Sequence, residues 1–252
     1  MFKAREYVKA ASLEEAWQLN QKKSNVIIGG MMWLKMSSLT KGTIIDLSGL
    51  GLDEIEETEE EFRIGCMCSL RKLELHEGLN RYFGGIMKEC TRHIVGVQFR
   101  NGATVGGSIF GRYGFSDLLT CFMVLDTYVE LYKGGIVPLA EFADMPFDRD
   151  LLIRIVIRKD KRKAAYVTQR RTKTDFPLIA CAAARLEPAW YFSVGARPAR
   201  AALIRVEGEL GDLKEIASRF RYGDNLRGSG EYRRELAGIY LSRLVQKIGR
   251  EA

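Results

Sequence analysis

The chain has 252 residues, 46% hydrophobic and 28% charged, with a formal net charge of +7, which suits a globular protein built as one two-lobed unit or two to three small domains. No apolar run approaches the ~20 residues of a membrane span, and residues 1–21 carry Glu6, Glu14 and Glu15 without the apolar stretch of a secretory signal, so a cytoplasmic, membrane-free protein is expected. Cys66, Cys68, Cys90, Cys121 and Cys181 form an odd, scattered set that reads as free thiols, and the positive charge alone does not separate a nucleic-acid partner from docking to an acidic subunit.

Residues 2–8 read as an opening strand, and Ser12-Leu13-Glu14-Glu15 is a capping box that starts a helix running to about residue 22. A strand ending at Gly29-Gly30 and a buried strand at residues 43–47 complete a small β-α-β unit. The acidic run at 53–61 reads as a solvated turn or hairpin rim, with a domain seam nearby. A second unit then begins at residues 62–67, with Ser69 as N-cap of a helix to residue 75, interrupted helix over 79–91, and Ser116 or Asp117 capping a helix over 118–124. Residues 127–132 and 136–138 predict a hairpin around Gly134-Gly135, and this unit closes near Pro146.

From Leu151 the pattern changes. Ile153, Ile155 and Ile157 alternate with Arg154, Val156 and Arg158, predicting a half-exposed antiparallel strand with neighbours at 164–169, 178–186, 190–194 and 202–206, backed by helices over 212–220 and 229–248. In the last helix Tyr232, Leu236, Ile239, Tyr240 and Leu244 are expected on one face, with Arg233 and Arg234 largely away from it.

Two stretches stop an apolar, β-branched run at paired glycines: Val26-Ile27-Ile28-Gly29-Gly30-Met31-Met32-Trp33-Leu34 and Ala103-Thr104-Val105-Gly106-Gly107-Ser108-Ile109. Main-chain N–H groups there can crowd round an anion with no Cβ in the way, so the pair suggests two loops converging on one diphosphate. Taken singly, each glycine pair reads first as a structural turn. Dinucleotide and P-loop signatures of the Gly-x-Gly-x-x-Gly and Gly-Lys-Ser/Thr kinds are absent. Cys66-Met67-Cys68 on a strand lacks further ligands, and His76 and His93 have no nucleophile beside them, so metal and hydrolytic sites are not expected. The cluster Arg158-Lys159-Asp160-Lys161-Arg162-Lys163 reads as a charged hairpin tip or an anion-attracting patch, without the aromatic platform of a single-strand binder.

Further segments occur in order with these loops: Phe99-Arg100-Asn101-Gly102 before the second, Ser116-Asp117-Leu118, Asp175-Phe176-Pro177, Val194-Gly195-Ala196-Arg197-Pro198, and Arg227-Gly228-Ser229-Gly230-Glu231-Tyr232-Arg233. With this set the chain resembles, over nearly its whole length, the FAD-binding subunit of xanthine dehydrogenase and related molybdenum hydroxylases. The resemblance implies an α+β fold: a two-lobed FAD-binding domain of the p-cresol methylhydroxylase type over 1–150, with lobes of about 1–55 and 56–150. A C-terminal antiparallel sheet with helices, like the CO dehydrogenase flavoprotein C-terminal domain, would follow over 151–252.

It also implies that Ile27, Ile28, Gly29, Gly30, Met31, Met32, Trp33 and Leu34 wrap the pyrophosphate of a non-covalent FAD. Thr104, Gly106, Gly107 and Ser108 would complete the wrap, Asp117 would bind a cofactor hydroxyl, and Ile94 and Leu152 would make apolar contacts near the rings. Met31-Met32 stand where a polar pair is frequent in the family, Ser108 where Asn is usual, residues 111–115 where a small Pro-containing segment precedes Ser-Asp-Leu, and Val167 where some relatives have lysine. By resemblance the function is electron transfer from [2Fe–2S] centres through FAD to NAD or another acceptor. The [2Fe–2S] and molybdopterin groups belong to partner subunits, and no catalytic side chain is nominated here. A non-catalytic basic binding or assembly protein retaining the fold is the alternative.

Overall fold

Three sheets organise residues 1–250, which the computed structural model describes. The first is built from β1 (Lys3–Lys9), α1 (Leu13–Asn20), β2 (Val26–Ile28) and β3 (Thr40–Asp46), with β3 central and parallel to both neighbours. Ser12 starts α1 as expected, its hydroxyl accepting from Glu15 N at 3.1 Å.

The second unit runs through β4 (Ile55–Glu57) and β5 (Glu61–Gly65) into short helices: α2 (Leu70–Leu75), α3 (Glu77–Tyr82), α4 (Ile86–Thr91), α5 (Val97–Gly102), α6 (Val105–Phe110) and α7 (Asp117–Phe122). Ser69 caps α2 and Ser116 caps α7, each hydroxyl accepting a main-chain N–H at 3.1 Å. The unit ends with β6 (Thr127–Leu131), β7 (Gly135–Pro138), α8 (Leu139–Asp144) and β8 (Leu152–Arg158). The order of this sheet is β4-β5-β8-β6-β7, with β8 antiparallel to β5 and β6. This corrects the sequence reading of Leu152 as part of the first strand of the last sheet. Ile153, Ile155 and Ile157 are buried as expected, but so are Leu152 and Val156, so the strand is covered on both faces rather than half-exposed, and its alternation does not report which strands lie alongside.

The third sheet, in order β12-β11-β10-β9, is an antiparallel meander of β9 (Lys163–Gln169), β10 (Ile179–Leu186), β11 (Ala189–Gly195) and β12 (Ala202–Glu207), followed by α9 (Leu213–Ser218) and α10 (Gly230–Arg250). β10 is buried on both faces: Ala180, Ala182 and Ala184 enter the large core shared with the helical layer, while Ile179, Cys181 and Ala183 enter a second core against α9 and α10. Alternation of period two thus feeds two cores at once.

α10 packs Leu236, Tyr240 and Leu244 inward as expected, but the rest of the expected face is rotated. Tyr232 and Ile239 are exposed, and Arg233 is fully buried. Its guanidinium donates to the carbonyls of Leu178, Gly223 and Gly228 and to Asn225 Oδ1, so a fork with four of its five N–H donors engaged replaces an apolar side chain there. No helix among the described residues is long and apolar enough to cross a membrane.

Candidate functional site

One cavity of about 440 Å³ lies between the C-terminal end of β2, the helical layer and the turn after β9. The residues nominated from the sequence come together on its wall. Ile27, Ile28, Gly29, Gly30, Met31, Met32, Trp33 and Leu34 line it from the first loop, and Ile94 from the α4–α5 link. Thr104, Gly106, Gly107 and Ser108 line it at the start of α6, Asp117 at the start of α7, and Leu152 at the start of β8.

The two glycine pairs do different work. A Cβ on Gly30 would stand 1.5 Å from Gly102 O and one on Gly29 2.3 Å from Thr104 Oγ1, so the loops touch through glycine surface. No hydrogen bond among the described residues engages the N–H groups of residues 29–33, and Met31 bends the loop at a φ of 57°. The second pair was expected to end a strand and offer its amides. Instead Thr104 is the N-cap of α6, and every amide there has a partner: Val105 N on Cys68 O and Gly106 N on Cys66 O, both at 2.8 Å, Ser108 N on Thr104 O at 3.1 Å, and Gly107 N on Thr104 Oγ1 at 3.2 Å. What Gly106 and Gly107 supply is room. A Cβ on Gly106 would meet Cys66 O at 2.5 Å, whereas Gly107 has only Thr104 Oγ1 near it, at 3.1 Å, and lines the cavity.

The polar end of the cavity is centred on Asp117. Its Oδ1 accepts from Tyr166 OH at 2.5 Å and from Arg170 Nη2, while Oδ2 has no partner among the described residues. Burial pushes this carboxyl up, and the Arg170 guanidinium and the Tyr166 hydroxyl pull it back. Burial likewise holds the Tyr166 phenol well above its ordinary value, with the Asp117 carboxylate adding to the effect. Tyr166 and Arg170 lie on or just after β9 and carried no signal in the sequence that tied them to Asp117.

Aromatic side chains from four segments meet on the same cavity wall. Trp33 stacks on Phe176 at 5.4 Å and meets Phe99 edge-on at 5.3 Å, Phe115 meets Phe176 at 4.6 Å, and Tyr113 stacks on Phe115 at 5.2 Å. All five line the cavity. Tyr113 and Phe115 belong to the atypical segment before Ser-Asp-Leu, the one signal that could have found them. Arg112 anchors that segment, its guanidinium 3.9 Å from the Phe142 ring centre and 4.5 Å from that of Phe147, with Nη1 donating to Met145 O at 2.7 Å.

The remaining candidates are structural. Cys66 and Cys68 sit in a turn after β5 rather than on the strand, and burial pushes both thiols up to about 12. His76 caps α3 through Nδ1, accepting from Leu79 N at 3.1 Å. In the basic cluster Lys159 donates to Glu57 at 2.8 Å and Arg162 to Val124 O at 2.6 Å, so those cations tie elements together.

A family model, the FAD binding domain in molybdopterin dehydrogenase, matches residues 1–159. The chain belongs to this family. The matched FAD domain ends one residue after β8, which joins that strand to the cofactor-binding part of the chain. The protein YgfM of Escherichia coli (strain K12) is 24% identical over 260 residues, covering 98% of each chain. Among solved structures, a Cu,Mo-CO dehydrogenase chain superposes with a TM-score of 0.85 at 21% identity, covering 99% of both chains. Quinoline 2-oxidoreductase from Pseudomonas putida 86 superposes with a TM-score of 0.83 at 20% identity, covering 100% of this chain and 97% of that one. These likenesses show the same α+β fold, from the first β-α-β unit to the C-terminal antiparallel sheet and its helices.

The cavity suits FAD part by part. Five N–H groups in residues 29–33, unengaged among the described residues, match a diphosphate, the bare surface at Gly107 admits it, and Asp117 Oδ2 can accept from a hydroxyl. The apolar and aromatic remainder matches flat rings.

Proposed function

We propose that this chain is the FAD-carrying electron-transfer subunit of a molybdenum hydroxylase of the xanthine dehydrogenase type, acting in the cytoplasm with separate [2Fe–2S] and molybdenum subunits. One observation carries the reading: both glycine loops and Asp117 line a single cavity, and the first loop has free main-chain donors. The amides of residues 29–33 hold the diphosphate, Asp117 takes a cofactor hydroxyl, and Ile94, Leu152 and the aromatic cluster pack on the rings. When bound, FAD supplies the redox chemistry, accepting electrons singly and releasing them as a pair. The chain's own residues orient it and exclude water. NAD is the proposed acceptor, and the molybdenum subunit binds the substrate, a purine or another N-heterocycle. One structural relative is named for quinoline, which supports that class. We assign residues 160–252 to a domain like the C-terminal domain of CO dehydrogenase flavoproteins.

A visible spectrum of the purified protein tests this against the alternative of a basic assembly protein. Heat denaturation should release yellow FAD into the supernatant. FAD at a hundredfold excess over Kd should stabilise the chain by about 2.7 kcal/mol, roughly 5–10 °C in Tm for a chain of this size. No flavin band together with no rise in Tm would overturn the reading.

A further inference from the structure

We propose that Tyr166 and Arg170 are positioning residues for Asp117, through which the third sheet completes the cofactor site. The inference rests on the reading of the cavity as an FAD site. Asp117 begins α7, while Tyr166 and Arg170 stand 49 and 53 residues later, on and just after β9. The contact is buried from every side: Asp117 is 5% exposed, Tyr166 6%, and the Arg170 side chain 7%.

Both donors fall on the same oxygen, Oδ1. A carboxylate gripped at one oxygen by two donors from β9 and the turn after it cannot rotate freely, so the direction of Oδ2 is fixed on a residue that lines the cavity. The guanidinium fork also reaches further, with Nη1 donating to Asp175 O in the turn that carries Phe176. Phe176 in turn stacks on Trp33 of the first glycine loop. Arg170 therefore sets the polar wall and the aromatic wall together, as a planar fork can and a point charge does less well.

The charge balance points the same way. The groups facing Asp117 are Tyr166 from β9, Arg170 after it, His93 from the α4–α5 link and Cys90 from α4. Burial keeps the His93 imidazole and the Cys90 thiol toward their neutral forms. Burial pushes the Asp117 carboxyl up and Arg170 is the cation that opposes this, and an ionised acceptor makes the stronger hydrogen bond to a cofactor hydroxyl.

The test is flavin-fluorescence titration of the full chain at pH 8 and pH 6, with a melting curve for each variant. The parent should bind FAD almost equally at the two pH values. Arg170→Gln should bind about tenfold more weakly at pH 8 and weaker again at pH 6, because the carboxyl protonates once its cation is gone. Arg170→Lys should recover most of the affinity and the flat profile. Tyr166→Phe keeps the ring and removes one donor, so it should show a smaller loss of the same pH-dependent kind, and it decides the matter if Arg170→Gln does not fold. A parent that takes up no FAD overturns the cofactor reading and this proposal with it. A parent that binds FAD while folded variants bind it equally well, or lose the same factor at both pH values, overturns the positioning role alone.

Discussion

Gly107→Val separates the cofactor's space from the stability of the fold, because the two effects differ in size. Gly107 is the third residue of α6, with no positive φ, and a new Cβ meets only Thr104 Oγ1, at 3.1 Å. Valine is a better helix former than glycine by a few tenths of a kcal/mol, which offsets the slight push on the Thr104 hydroxyl, so the apo-protein should melt within about 1 kcal/mol of the parent. The side chain itself projects into the cavity. Overfilling a packed site by that much costs about 1–3 kcal/mol, which is a loss of FAD affinity of roughly 5- to 150-fold. Flavin-fluorescence titration measures the Kd, urea denaturation of the apo-protein measures stability, and Lys247→Ala on the exposed side of α10 is the control. A folded Gly107→Val chain with the parent's Kd would remove the start of α6 from the FAD site.

Gly30→Ala should behave differently: its Cβ would stand 1.5 Å from Gly102 O, so the loops must separate at a cost of about 3 kcal/mol or more. Urea denaturation should show that loss even without FAD, and an unchanged midpoint would refute it. Arg233→Lys should lose about 2–4 kcal/mol, since the three donors of one ammonium nitrogen cannot replace four bonds made from the three nitrogens of a planar fork to Leu178, Gly223, Gly228 and Asn225; a loss below about 1 kcal/mol would refute that account of the buried fork. Glu74, buried between α2 and α5, is opposed by desolvation but held below its ordinary pKa of 4.5 by Arg100 at 2.7 Å and by Arg71. A depressed folded pKa contributes stability above pH 4.5 and loses it as pH falls through the folded value. Glu74→Gln should therefore be less stable than the parent by about 3 kcal/mol at neutral pH, and the gap should shrink between pH 5 and pH 3. A gap that stays constant over that range would refute the assignment.

The features legible in the sequence are those with local causes. Ser12, Ser69 and Ser116 start helices where they were read, because a cap depends on a hydroxyl and an N–H three residues on. Paired glycines and their ordered neighbours sufficed to name residues that line one cavity, since close approach of two backbones demands glycine whatever surrounds it. Other features depended on partners far along the chain. β8 lies between β5 and β6 rather than beside β9, because its alternation would look the same in either sheet. Gly106 and Gly107 lost their amides to Cys66 and Thr104, a consequence of where the turn after β5 runs. The grip of Tyr166 and Arg170 on Asp117, and the meeting of Trp33, Phe99, Phe115 and Phe176, join segments whose spacing has no period to read. Local chemistry determined the parts of the site, and only the packing of the third sheet against the helical layer decided which charges and rings face one another across it.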